Sequence, residues 1–465
     1  MNQLIQLINI SSIFIFIYFF LISFLYIVLI LLSSNKLREF IKIVNNDVTI
    51  ISNYTKPISI VVPAFNEEAT IIDNIISLLD LNYPEFEIVV VNDGSKDHTL
   101  SKIVEYFNLR KIDVEINMLV DCEHIRAVYS SFALPNLVVV DKINGGKADA
   151  LNAGINLSRY PLFCGIDADC IIEKNALLRI VKPFLNNENT IAVGGFIRIA
   201  NGCIIKEGKL VEARLPKKAI VRFQIIEYFR AFLTSRIGWE KMNALLIISG
   251  AFGVFKKSAV VNVGGYSKTI GEDMELTLKM HEFYKKNKID YKVDFTSDAV
   301  CWTQAPDTLK GLRNQRIRWH RGLTDSILRH KKMILNPKYG TVGMLSMPYF
   351  FAVEMLGPVI EFAGYLFLLL SITTGTLSEF FIYVFLMAIL YGILYSLSAI
   401  LFEVLSYKRY TGLNVITKLI IYSLLEQFMY RQLTVWWRVS SFFNFKKGSK
   451  KWGTIKRRSF QDLEK

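Results

Sequence analysis

The sequence predicts an α/β domain built on a parallel sheet and held between membrane-inserted helices. Three observations carry that expectation. Strand-then-helix patterns recur at about thirty residues, the length of a βαβ unit, between positions 56 and 335. Long uncharged apolar runs flank that stretch, and a polar loop follows each predicted strand. The 465-residue chain is 52% apolar with a mean hydropathy of +0.32, values high for a protein handled entirely by water.

Residues 1–35 carry no charged side chain, and INISSIFIFIYFFLISFLYIVLILLSS exceeds the roughly 20 apolar residues that cross a bilayer core. A cleaved leader would show a basic start, a shorter apolar core and small residues at the cut, which this stretch lacks. Lys36, Arg38 and Lys42 follow, so the positive-inside rule puts the segment after them in the cytosol. Residues 342–371 and 380–405 each read as a span, joined by TTGTLSE and closed by YKRY. Residues 412–438 are interrupted by Lys418, Glu426, Gln427, Arg431 and Arg438, and seven Lys/Arg follow between 446 and 458. That charge predicts an interfacial or re-entrant helix with a basic cytosolic tail. The expected organisation is therefore an N-terminal transmembrane helix (1–35), a cytosolic domain (56–335), transmembrane and interfacial helices (340–440) and a basic tail (441–465). The protein is expected in the plasma membrane as a multi-pass chain. Glu354, Pro358 and Glu361 fall inside the second span, where acidic groups are costly and mark a polar path or a protein interior.

The net charge of +14 lies largely beside these spans and in the tail, which favours anionic lipid headgroups over nucleic acid. Cys122, Cys164, Cys170, Cys203 and Cys301 show no metal-type spacing and all fall in the reducing compartment, so no disulfide is expected.

Within 56–335, KPISIVVPAFNEE is an apolar strand ending at a proline before an acidic helix start, and FEIVVVNDGSKDHTL repeats that form. Ligands of such sheets bind beyond the C-terminal strand ends, where Asn66 and Glu67 follow the first strand and Asp93 the second. PLFCGIDADC runs into Asp167 and Asp169. Two carboxylates so spaced are either a surface turn or an oxygen-ligand site for Mg2+ or Mn2+ on a diphosphate. Lys147, in NGGKADALNAG, is either a phosphate contact or a solvated lysine. Glu272 and Asp273 open a helix in IGEDMELTLKM, where acidic residues serve the macrodipole or act as a general base. AIVRFQIIEYFRAFLTSRIGWEKMNAL reads as a helix on the membrane or as a core helix.

Taken in order, PAFNEE (63–68), VNDGS (91–95), GGKADALNAG (145–154), DAD (167–169), GED (271–273) and QRIRW (315–319) resemble the family 2 glycosyltransferases that build membrane-exported β-linked polysaccharides. Cellulose, chitin, hyaluronan and poly-N-acetylglucosamine synthases belong there. The resemblance covers roughly residues 56–330 and implies a GT-A, Rossmann-like fold. It assigns roles by position. Pro63, Asn66, Glu67 and Asp93 would lie on the nucleotide, with Asp93 on the uracil; Asp167 would contact the nucleotide sugar. Asp169 would hold Mg2+ or Mn2+, Lys147 a phosphate, and Asp273, beside Glu272, would be the base. Ser249 and Gly250, in IISGAFGVFKK, would meet the acceptor. Gln315, Arg316, Arg318 and Trp319 would lie on an interfacial helix, its arginines on the diphosphate and Trp319 the floor under the acceptor sugar; Arg313, Arg321 and His320 receive no role. The implied reaction inverts a UDP-sugar, best guess UDP-GlcNAc, onto a growing glycan for a bacterial biofilm exopolysaccharide. A small auxiliary membrane subunit is an expected partner. The single N-terminal span is closer to chitin-oligosaccharide synthases, whereas overall length is closer to poly-N-acetylglucosamine synthases. The rival readings are transfer of one sugar to a lipid and an inactive membrane scaffold.

Overall fold

The computed structural model describes residues 2–44, 55–206 and 209–443. The basic tail lies outside the described residues from position 444 onward. Strands are β1 (Ile58–Ala64), β2 (Phe86–Asn92), β3 (Arg110–Ile112), β4 (Ile125–Ser131), β5 (Leu134–Lys142), β6 (Leu162–Ile166), β7 (Cys170–Ile172), β8 (Thr190–Ile199), β9 (Ile204–Lys206), β10 (Lys209–Glu212), β11 (Phe252–Lys256) and β12 (Lys292–Thr303). All but the β9–β10 hairpin form one sheet, ordered β3-β4-β5-β2-β1-β6-β11-β8-β12-β7. β1 is parallel to both β2 and β6, with Ile58 beside Phe86 on one side and Leu162 on the other. Sequential order reverses at β1, so the loops after β1, β2 and β6 open on one crevice. These central strands are apolar runs because both of their faces are covered by packing; every residue of β8 is buried. The alternation read from the sequence is thus present, and β11 adds an antiparallel strand between β6 and β8.

The N-terminal helix runs Asn2–Val44, with Ile13–Lys36 long and apolar enough to cross a membrane. Glu379–Tyr407 is a second such helix. The stretch expected as one span at 342–371 is instead a bent pair, Val342–Met355 and Gly357–Thr373, meeting at 41°. Pro358 sits in the first turn of the second piece, where its missing N–H interrupts the ladder. Residues 412–438 also break: Phe428 and Met429 leave helical geometry between Leu413–Leu425 and Arg431–Phe443. Neither piece is among the helices long and apolar enough to span.

The stretch from 219 to 241 is a continuous helical rod with a π-helical segment at Arg230–Arg236. The N-terminal helix packs on it so closely that a methyl at Gly238 would fall 2.6 Å from Leu29. Ser33 donates to the Thr234 carbonyl at 2.6 Å, and Lys36 pairs with Glu240 at 2.6 Å. Ion pairs tie the C-terminal helices to the domain. Arg198 of β8 meets Glu403 at 2.7 Å with both side chains 1% exposed or less, and Arg230 meets Glu426 at 2.5 Å. Glu361 is taken by Arg431 at 2.6 Å and by the Tyr365 hydroxyl, so it serves helix packing rather than a polar path. All five cysteines are free.

Removing one partner of a buried pair strands the other charge. Arg198→Met should cost about 3–5 kcal/mol, and Arg198→Met combined with Glu403→Met should recover most of it, read by thermal unfolding in nanodiscs.

Candidate active site

The crevice begins with a loop that needs its glycines. Gly145 and Gly146 donate their N–H groups to Asp93 at 2.9 and 2.8 Å. Gly146 has φ +91°, and a methyl on Gly145 would fall 2.4 Å from Asp149. Lys142 is fully buried between Asp93 and Asp149, at 2.7 and 2.6 Å. Asp93 is thereby occupied on both oxygens and holds the loop from which the Lys147–Leu157 helix starts. Asn66, at φ 56°, fastens the neighbouring loop: it accepts from Lys96 N–H at 2.8 Å, while Glu67 N–H donates to Thr99.

After β6 the chain turns at once, with Cys170 N–H donating to the Asp167 carbonyl at 3.0 Å. Asn74 clamps that turn through the Cys170 carbonyl at 2.6 Å. Asp167, Asp169 and Cys170 consequently present ligand atoms within 4.8 Å of one another. The two carboxylates are hard oxygen donors of the kind Mg2+ or Mn2+ prefers. The Cys170 thiol is soft and buried, its pKa raised by its contact with Cys301 and by burial, so it is ill suited to either ion.

Lys147 gathers the remaining acids. Its ammonium lies 2.6 Å from Asp167 and 3.3 Å from Glu272, and 3.3 Å from the Gly250 carbonyl. Burial works against its charge, but Asp167 and Glu272 overcome that and hold its pKa above the ordinary lysine range. Glu272 and Asp273 open the Glu272–Lys286 helix. Asp273 accepts from Gly250 N–H at 3.2 Å and from Met274 N–H at 2.8 Å. Burial pushes Glu272 up to about 7, with Lys147 opposing and Asp273 adding to the rise.

The Leu309–Arg329 helix, capped by Thr308 accepting from Gly311 N–H at 3.2 Å, carries QRIRW. It abuts the start of the Glu272 helix without side chains between them. A methyl on Gly271 would fall 2.7 Å from Gly322 backbone, and one on Gly322 2.9 Å from Gly271. Trp319 is 44% exposed, with the Arg316 guanidinium stacked 4.5 Å from its ring centroid. Arg316 itself is buried, ion-paired with Glu227 and hydrogen-bonded to Gln315. It props the indole instead of standing open to a diphosphate.

A cavity of about 1770 Å³ joins these parts. Lys147, Asp167, Asp169, Glu272 and Asp273 line one region, Ser249 and Gly250 adjoin them, and Gln315, Arg316, Arg318 and Trp319 form another wall. The same cavity reaches Tyr26 and Tyr395 on the two membrane-length helices, and Glu354 and Arg438 on helices beside them. Pro63, Asn66, Glu67 and Asp93 are not in its lining; they frame the adjacent loops. Sequence reading passed over Lys142, whose role arises from register in β5, and Glu227 and Trp239; Arg236 was legible only as a cation on an amphipathic helix.

Folding takes up a proton at Glu272, because its folded pKa lies above the ordinary carboxylate range. The stability this contributes is present at low pH and is lost as pH rises toward about 7. Glu272→Gln should remove that dependence. Between about pH 5 and about pH 8 the melting temperature of the variant should therefore gain on the wild type.

Comparison with known proteins gives the same arrangement a family. Residues 59–259 match the model described as glycosyl transferase family 2, and residues 164–398, half of the chain, match glycosyl transferase family group 2. Poly-beta-1,6-N-acetyl-D-glucosamine synthase of Staphylococcus epidermidis is 31% identical over 277 residues, 58% of this chain and 56% of the relative. The Staphylococcus aureus (strain COL) synthase of the same name is 30% identical over 277 residues, with the same coverage of both chains. The chain spans about half the length of the curated relatives it matches. In structure it resembles a mannosyltransferase from Pyrobaculum calidifontis in complex with GDP-Man and Mn2+, at a TM-score of 0.51 and 14% identity, over 93% of this chain and 99% of the other. That likeness concerns the fold alone, and it is the GT-A type of sheet and crevice. Matched to the family over half of its length, with the DAD aspartates, the GED and QRIRW residues and Lys147 on one cavity, the chain belongs to the family 2 glycosyltransferases.

Proposed function

We propose that this protein is an inverting membrane glycosyltransferase that polymerises a UDP-sugar, with UDP-GlcNAc the best candidate, into a β-linked polysaccharide and exports it. The observation that carries the reading is the continuity of the cavity from Asp167, Asp169 and Asp273 to the membrane-length helices at Tyr26 and Tyr395 and the helices beside them at Glu354 and Arg438. The likeness to two poly-beta-1,6-N-acetyl-D-glucosamine synthases supports the choice of donor.

In this reading the uridine lies toward the loops of Pro63, Asn66, Glu67 and Asp93, and the diphosphate toward Asp167, Lys147, Gln315 and Arg318. Asp169, with Asp167, would hold Mg2+ or Mn2+, which when bound offsets the charge that grows on departing UDP. Asp273 takes the proton from the acceptor hydroxyl as it attacks the anomeric carbon from the side opposite UDP. One base and no enzyme nucleophile give inversion. Gly250 N–H fixes the carboxylate's orientation, and Lys147 restrains Glu272 beside it. Ser249 and Gly250 let the acceptor approach the backbone, with Trp319 beneath its sugar ring. The partners are thus the UDP-sugar, the growing glycan and membrane lipid, with a small auxiliary membrane subunit where few spans line the path; nucleic acid is not among them. The catalytic domain faces the cytosol of a multi-pass plasma-membrane protein.

UDP release in nanodiscs, compared for UDP-GlcNAc, UDP-glucose and UDP-glucuronate with Mg2+ or Mn2+, tests this directly. High-mass product from UDP-GlcNAc is expected, with kcat about 10²–10⁴-fold lower in Asp273→Asn and turnover abolished by chelator. A lipid-sized product would move the protein to single-sugar transfer, and no turnover of any donor would favour a scaffold.

A further inference from the structure

Two hydrogen-bond donors on one face of the 219–241 rod have no role in the reaction as described. Arg236 Nη1 and Trp239 Nε1 are both buried with no hydrogen-bond partner, and both residues line the large cavity. Three positions apart on a helix, they point the same way. Three other arginines along that cavity are neutralised: Arg230 by Glu426, Arg316 by Glu227 and Arg438 by Glu354. No acid among the described residues lies within ion-pairing distance of Arg236, which stacks on Phe232 at 3.7 Å from the ring centroid. Burial draws its pKa down to about 10, and Asp273 is the carboxylate whose field works against that. Arg236 and Asp273 line the same cavity. An unpaired buried donor is costly, and the uncompensated charge adds to this. A π-helical segment, a distortion frequent at functional sites, ends at Arg236.

We propose that Arg236 and Trp239 form an acceptor subsite, donating hydrogen bonds to oxygens of the glycan docked before Asp273, and that the unpaired guanidinium bars sugars carrying an ammonium group. The subsite accepts N-acetylated or otherwise neutral residues and rejects de-N-acetylated ones. It rests on the functional reading above, because it needs a glycan in the cavity beyond Asp273.

The test titrates the full-length protein in nanodiscs with a β-linked N-acetylglucosamine tetramer and with its fully de-N-acetylated counterpart. Measurement at about pH 6 keeps the amines protonated. Binding is read directly, and UDP release from UDP-GlcNAc is measured separately. Wild type should bind the acetylated tetramer at least about tenfold more tightly. Arg236→Met should erase that preference by admitting the cationic tetramer. Arg236→Lys should keep it, which also controls for misfolding. Trp239→Phe should raise KM for the acetylated acceptor several-fold with kcat little changed. An Arg236→Met variant that still discriminates, or a wild type that never did, would overturn the proposal. Failure of the functional reading shows elsewhere, as absence of UDP-GlcNAc turnover by the wild type.

Discussion

Four carboxylates converge where the crevice narrows, and like charges at that spacing drive one another apart or force protonation. Lys147 is what makes the convergence tenable. From the first turn of its helix it reaches Asp167 after β6, Glu272 at the head of another helix and the Gly250 carbonyl before β11. These segments are distant in sequence, and the lysine fixes their mutual positions. Its own position depends in turn on the Gly145–Gly146 loop, which hangs from Asp93, which is held by the buried Lys142. A chain of charge-assisted contacts thus runs from the end of β5 to the acids of the site.

A second constraint acts at the junction with the membrane helices. Arg198–Glu403, Arg230–Glu426 and Lys36–Glu240 link the domain to the flanking helices. Such pairs gain less from Coulomb attraction than they cost in desolvation, so they contribute registry more than stability. The partner set is selective in direction: a helix shifted by one turn would leave several charges buried and unpaired.

Much of this was legible from residue order. The sheet follows from β-branched runs ending in polar loops, and Asp167, Asp169, Lys147, Glu272 and Asp273 were all singled out by type and position before they came together in space. The apolar runs at 1–35 and 380–405 declared themselves by length and scarcity of charge, and membrane-length helices stand at Ile13–Lys36 and Glu379–Tyr407. What escaped was set by tertiary pairing. Arg316 reads as a diphosphate contact and Glu361 as a group on a polar path, yet they are matched to Glu227 and Arg431, which lie 89 and 70 positions away. Asp93 reads as a ligand contact, yet both oxygens are taken by the loop it supports. The bend at Pro358 and the break at Phe428–Met429 divide hydrophobic stretches whose composition alone looks continuous.

The bare contact of Gly271 with Gly322 has a mechanical meaning. With no side chain between them, the two helices meet backbone to backbone, and their spacing is set by covalent geometry instead of rotamers. Asp273 stands two residues from one glycine and Trp319 three residues from the other. Acid and indole therefore behave as fittings on a single bracket. The gap between them works as a fixed gauge, and variation among related proteins has to be absorbed in the walls around that gauge.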